Sequence, residues 1–148
     1  RIETRLDENY VASYLRYQRH YPPAQRIAPL ITPVLTKPLL EEWLKKSKPD
    51  AILISYDKVI HDIMKWLPPI GFNVPQDLGV GLIMVPKYPH TFAGVDEHLD
   101  KVAIRAVDFL VNMMEHGERG IPENPIRLMV KGTWHPGTTL RRLTPSSS

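Results

Sequence analysis

The chain has 148 residues, a net charge of +3 from 19 basic and 16 acidic side chains, and no cysteine. This length fits one domain whose core withdraws about 70% of the unfolded surface from water. The charge is too small and too evenly spread for a nucleic-acid surface. The absence of cysteine excludes a disulfide framework, a thiol nucleophile and Cys-ligated zinc.

Fifteen prolines fall between the periodic segments, so they punctuate elements and do not mark disorder. No apolar run approaches membrane-spanning length, and no signal-peptide pattern opens the chain. A start at Arg1 without methionine reads as a piece of a longer polypeptide.

Asp7 to Tyr21 predicts a helix with tyrosines at 10, 14, 17 and 21, ended by Pro22-Pro23. Burial of a helix face on a sheet explains the tyrosine stripe more simply than stacking on bases or sugars. Arg26 to Ile31 is a short apolar run read as a strand, which Pro29 restricts to an edge or a strand end. Thr36 to Lys46 predicts an amphipathic helix with Leu39, Leu40, Trp43 and Leu44 inward. Thr36 is its expected cap, and Lys45, Lys46 and Lys48 suit its C-terminal dipole.

Pro49 to Val85 organises the chain. The apolar run Ala51 to Ser55 reads as an interior strand, Asp57 to Leu67 as a helix, and Leu78 to Val85 as a second apolar strand. Strand, helix and strand over roughly 35 residues form a βαβ unit with parallel strands and a right-handed crossover. Ligands in such sheets bind beyond the carboxyl ends of the strands. Lys87 to Gly94 reads as a loop. Asp96 to His116 predicts a long helix with a wide apolar stripe, stopped by Gly117. Ile126 to Lys131 alternates and reads as the last strand, with Trp134 in the turn after it, and 144–148 as a frayed tail. The fold class is therefore α/β, a parallel sheet with helices on both faces.

No phosphate loop, nucleophile elbow or zinc-ligand spacing occurs, so the sequence predicts no enzyme, no cofactor and no metal. Asp57 is the most suggestive residue. A carboxylate just past a buried parallel strand can accept hydrogen bonds from a polyol or a base, and it can equally cap the helix that follows.

The run PDAILISYDKVIHDIMKWLPPIGFNVPQDLGVGLI resembles the effector-binding domain of the LacI/GalR family of transcription regulators. Gly71, Val74, Pro75 and Asp77 match its V-P-x-D turn. YPHTFAGVDEHLDKVAIRAVDFLV resembles the family's proline-rich loop and following helix, with Ala103 in place of the usual Gly. RLMVKGTWHPGTTL resembles its last strand and the Ser/Thr-rich segment after it.

The resemblance implies one lobe of a periplasmic-binding-protein-like fold over 1–143, with helix 99–117 belonging to the other lobe. It implies a cytoplasmic homodimer that senses a small-molecule effector. DNA is contacted only through an N-terminal helix-turn-helix absent from this chain. The effector-site positions it carries over are Asp7, Tyr56, Asp57, Met84 and Glu97. Tyr56, Met84 and Glu97 depart from the family pattern and make a cleft more apolar than a sugar site.

The implied dimer interface includes Ile60, Ile63, Met64, Leu67 and Tyr88, and core packing is the competing use of that helix. A periplasmic solute-binding protein of the same fold is the second reading, and an enzyme on a flavodoxin-like sheet the third.

Overall fold

The computed structural model describes residues 2–55, 57–85, 91–120 and 124–142, with side chains left out at 2–7 and 57. Tyr56 and Tyr88 fall outside the described residues, as does the tail 144–148. Helices α1 (Ile2–Gln18), α2 (Lys37–Ser47), α3 (Ile60–Trp66) and α4 (Leu99–Glu115) alternate with strands β1 (Ala51–Ile54), β2 (Gly79–Leu82), β3 (Ala93–Asp96) and β4 (Thr133–His135). The strands lie side by side in sequence order. β1, β2 and β3 are parallel, and β4 runs antiparallel to β3. The sheet is thus mixed but mostly parallel, the α/β arrangement that alternating elements imply.

The βαβ unit forms as its sequence dictates. α3 sits between two 3₁₀ turns, Asp57–Val59 and Pro68–Ile70. Prolines 68 and 69 cannot continue a helix ladder, and Gly71 takes the left-handed conformation (φ 92°) that ends the turn. Phe72 N–H then closes onto Leu67 O at 3.0 Å. Ile60, Ile63 and Leu67 from α3 meet Leu40 and Leu44 from α2, Ile52 from β1, and Leu78, Val80 and Leu82 in one buried cluster.

Every residue of β2 is buried, as its apolar run requires, whereas β1 is at the edge of the sheet and not in its interior. α4 ends in a Schellman closure: Glu118 N–H reaches Met113 O and Gly117 N–H reaches Met114 O. No residue of α4 is buried, and of its apolar side chains only Phe109 and Met113 are even half-buried.

Three strand expectations are corrected. Residues 26–31 form no strand: side chains, not a ladder, hold them. Gln18 Nε2 donates to Ile27 O at 2.8 Å while Gln18 Oε1 accepts from Ile27 N–H at 2.6 Å. Trp43 Nε1 donates to Ala28 O at 3.0 Å. Residues 126–131 also form no strand, and Ile126, Leu128 and Met129 point into solvent. The last strand is Thr133–His135, so Trp134 lies in it. β3 occupies part of the segment read as a loop. Gly94 lets it approach β2, because a Cβ there would collide with Leu82 O.

The expected Thr36 cap is also corrected. Thr36 is the N-cap of α2, but it contributes only its carbonyl, which accepts from Leu40 N–H at 3.0 Å.

The V-P-x-D turn is tied by Asp77. Its Oδ2 accepts from Asn73 N–H at 2.8 Å and from Asn73 Nδ2 at 2.7 Å. These bonds, the backbone one first, hold the carboxyl below the usual carboxylate range, and Arg141 adds a smaller push the same way. A depressed folded-state pKa stabilises the fold above the unfolded-state pKa, and that stability is lost as pH falls through the folded value. Asp77→Ala is therefore expected to lower the melting temperature at neutral pH and to match the parent protein at about pH 2, as thermal melts at the two pH values would show.

Candidate functional site

Parallel strands present their carboxyl ends on one edge of a sheet, and loops beyond that edge carry ligand sites in open α/β folds. Here β1, β2 and β3 are neighbours, so the residues following them line up along that edge. Asp57 begins the 3₁₀ turn three residues after β1, Met84 follows β2, and Glu97 follows β3. Met84 is 40% exposed and Glu97 is exposed. Asp7 lies on α1, one helical turn before Val11. Three of the five expected effector positions thus share one sheet edge in strand order. Tyr56 is outside the described residues, and Asp7 is fixed only by its backbone.

α3 starts at Ile60 with Val59 at its N-cap, so Asp57 precedes that helix, in the 3₁₀ turn that leads into it. Glu97 also precedes its helix, which starts at Leu99 and not at Asp96.

The expected interface residues divide. Ile60, Ile63 and Leu67 are 2%, 3% and 0% exposed and belong to the core. They are committed to the sheet and have no surface left for a partner, which corrects that assignment. Met64 is only partly buried, packed against the core rim. Tyr88 is outside the described residues.

Two features at this end of the sheet carried no sequence signal strong enough to find them. The first is a tie between β3, α4 and β4. His98 takes a left-handed conformation (φ 51°), and its N–H donates to Asp96 Oδ1 at 2.8 Å. Its ring places Nδ1 3.4 Å from Asp96 Oδ2 and Nε2 2.9 Å from Thr133 Oγ1. The adjacency Glu97-His98 shows none of this, because Thr133 lies 35 residues away. The cluster fixes the direction in which α4 leaves the sheet.

The second feature is an apolar groove of about 430 Å³ along the free edge of β1. One wall is β1 and Ser55, the other is the segment 29–33, and Tyr10, Val11 and Tyr14 of α1 also line it. Tyr14 Oη donates to Ile27 O at 3.0 Å, and burial raises the Tyr14 pKa. The signal available in sequence was the all-apolar β1, which is more hydrophobic than an edge strand tolerates.

Among the described residues no cluster of His, Cys, Asp and Glu could hold a metal ion, and no helix is long and apolar enough to cross a membrane.

The sequence matches the periplasmic binding protein-like domain over residues 4–139. No curated protein matches it. The fold is similar to the crystal structure of a protein named as transcriptional regulator LacI from Bacillus cereus subsp. cytotoxis NVH 391-98. The TM-score is 0.51 at 15% identity, over 74% of this chain and 40% of that one. At that identity the likeness concerns fold, and this chain spans less than half of the other. The family match covers nearly the whole sequence, including the three parallel strands and the edge beyond them: the chain belongs to the periplasmic binding protein-like domain family.

Proposed function

We propose that this chain is the effector-sensing region of a LacI-type transcription regulator, forming one lobe of a two-lobed domain. It is not an enzyme, and it contacts DNA only through a separate helix-turn-helix head. The observation that carries this reading is the family match together with the open carboxyl edge, where Asp57, Met84 and Glu97 follow three adjacent parallel strands.

The bare helix α4 supports the two-lobed arrangement. Leu99, Val107, Leu110 and Met114 are all exposed on it, and an amphipathic helix of this kind stays bare only when its cover lies elsewhere. A small molecule held between Asp57 and a facing lobe would favour one lobe arrangement over another. It would thereby shift the spacing of the attached heads. The regulator acts as a cytoplasmic homodimer, with Met64 and Tyr88 as the contact positions.

Reading the native frame upstream of Arg1 tests the proposal. A helix-turn-helix followed by roughly a hundred further residues of α/β pattern supports it. A secretion signal followed by an α/β lobe would instead make the protein a periplasmic solute-binding protein.

Asp57→Asn in the full-length protein is expected to weaken effector binding by about tenfold or more, because one charge-assisted acceptor is lost. The melting temperature stays unchanged, since Asn caps a helix start about as well as Asp. A fall in melting temperature without loss of affinity would make Asp57 structural.

A further inference from the structure

We propose that the C-terminal end of α1 and the turn after it dock an acidic linear segment of a partner protein. Its carboxylates would sit on Arg16, Arg19 and Arg26, and an apolar side chain would rest on Tyr17 and Tyr21. The inference goes beyond the effector reading and does not depend on it.

Over the whole chain the charge is nearly balanced, but residues 9–40 hold Arg16, Arg19, Arg26 and Lys37 and no acidic residue. The remaining positions hold 15 basic and 16 acidic side chains, so the positive excess belongs to that stretch. α2 and α4 pair cations along their own surfaces, Lys45 with Glu41 at 2.7 Å and Arg105 with Asp108 at 3.4 Å. The side chains of Arg16 and Arg19 form no ion pair or hydrogen bond among the described residues.

The local structure turns these groups outward together. Gln18 is buried, and both ends of its amide bind Ile27, at 2.8 Å and 2.6 Å. That fixes the inward side of the last turn. At about 100° per residue, Arg16, Tyr17, Arg19 and His20 lie away from it, and all four are exposed. Arg19, His20 and Tyr21 continue the winding, their N–H groups reaching Arg16, Tyr17 and Gln18 O at 3.2, 3.1 and 3.0 Å. Arg26 is drawn back to the same place, because its Nε donates to Tyr21 O at 2.9 Å. Its Nη groups remain for a carboxylate.

The rings are assembled in advance. Tyr17 is 62% and Tyr21 45% exposed. The Tyr17 ring packs against His20 at 5.8 Å and 69°, and against Tyr21 at 5.9 Å and 58°. A hydrogen bond with Tyr17 raises the Tyr21 pKa, so Tyr21 stays neutral and adds no negative charge to the patch. Exposed tyrosines beside unpaired arginines have the composition of an interface hot spot.

Chemistry selects the occupant. A guanidinium offers a carboxylate two parallel N–H bonds. Phosphates fit the same fork, but three guanidiniums are few for a nucleic-acid backbone. Rings set edge to face also present no run of parallel faces for successive bases. A short acidic peptide needs no more than this patch supplies.

The test is fluorescence anisotropy with the full-length protein and a labelled, extended peptide of alternating glutamate and proline, about twelve residues long. The expected result is saturable binding that weakens about tenfold when glutamine replaces glutamate. Replacing Arg16, Arg19 and Arg26 together with alanine is expected to weaken it about tenfold, and Tyr17→Ala several-fold. Arg16→Ala with Arg19→Ala spares the Arg26 bond to Tyr21 and is expected to lose about fivefold with an unchanged melting temperature.

Absence of saturable binding overturns the proposal, as does equal affinity in the double arginine variant. Unchanged affinity in Tyr17→Ala reduces the patch to unspecific charge and also overturns it. Oligothymidylate that displaces the peptide from the parent protein, and binds the double variant about tenfold more weakly, assigns the arginines to nucleic acid and overturns it as well. None of these results alters operator binding, on which the regulator reading stands. A protein that lacks a helix-turn-helix head yet binds the peptide refutes that reading and leaves this one in place.

Discussion

Replacing Thr139 with valine is expected to destabilise the protein by about 2–4 kcal/mol, one of the two largest single-residue effects anticipated in this fold. The Thr139 hydroxyl is buried and bridges β2 and β3. It donates to Val80 O at 2.6 Å and accepts from Ala93 N–H at 2.9 Å. The backbone carbonyl of Thr139 accepts from Val80 N–H at 2.8 Å, and Thr138 N–H reaches Thr91 O at 2.8 Å.

The segment after β4 thus completes the ladder where β2 and β3 are paired only through Gly81 with Ala93 and Leu82 with Gly94. Valine preserves the shape but leaves a buried carbonyl and a buried N–H without partners, each costing about 1–3 kcal/mol. The melting temperature would fall by roughly 10 °C for a chain of this size. Thr139→Ser keeps the hydroxyl and is expected to lose less than half as much. Equal losses for serine and valine in thermal melts would mean that the methyl group, not the hydrogen bonds, matters.

Leu67→Ala is the second. Leu67 is fully buried, in the last turn of the α3 crossover, among Ile63, Leu78 and Val80. Removing a buried leucine side chain costs about 2–5 kcal/mol, from lost transfer energy and the cavity left behind. The same residue was an expected dimer contact, and the two roles separate experimentally. A core residue changes the denaturant midpoint and leaves the oligomeric state of the folded protein unchanged. An interface residue changes the association constant. Chemical denaturation combined with light scattering below the unfolding transition distinguishes them, and the burial of Leu67 predicts the first outcome.

The elements legible in sequence were those whose pattern is self-contained. α2, α3 and α4 show a periodic apolar face between proline or glycine stops. β1 and β2 are apolar runs too short for helices. What could not be read depends on partners distant in sequence. β3 has the sequence AGVD, which lacks the β-branched run of a strand, and it is made one by Leu82, His135 and Thr139. Residues 126–131 alternate convincingly but find no ladder partner among the described residues.

The site was partly readable for the same reason. Asp57, Met84 and Glu97 could be placed because each follows a strand, and ligand sites lie beyond strand ends. The His98–Asp96–Thr133 cluster could not, because it joins two segments whose proximity only the closed sheet creates. The assignment of Ile60, Ile63 and Leu67 to a surface failed on a matter of geometry. A two-turn helix lying on a sheet has one buried stripe, and those three residues, at steps of three and four, are that stripe.

The long reach of Thr139 also sets a timetable for the growing polypeptide. Its bonds to Val80 and Ala93 span 59 and 46 positions, so the central strands cannot be fully satisfied until a segment far downstream has been synthesised. Contacts of such separation slow folding, because a large loop must close before any contact rewards it. On a ribosome adding about 5–20 residues per second, several seconds pass between the emergence of β2 and the arrival of its last partner. During that interval the apolar edge of β2 is open to wrong pairing, and a nascent-chain chaperone would find its target there.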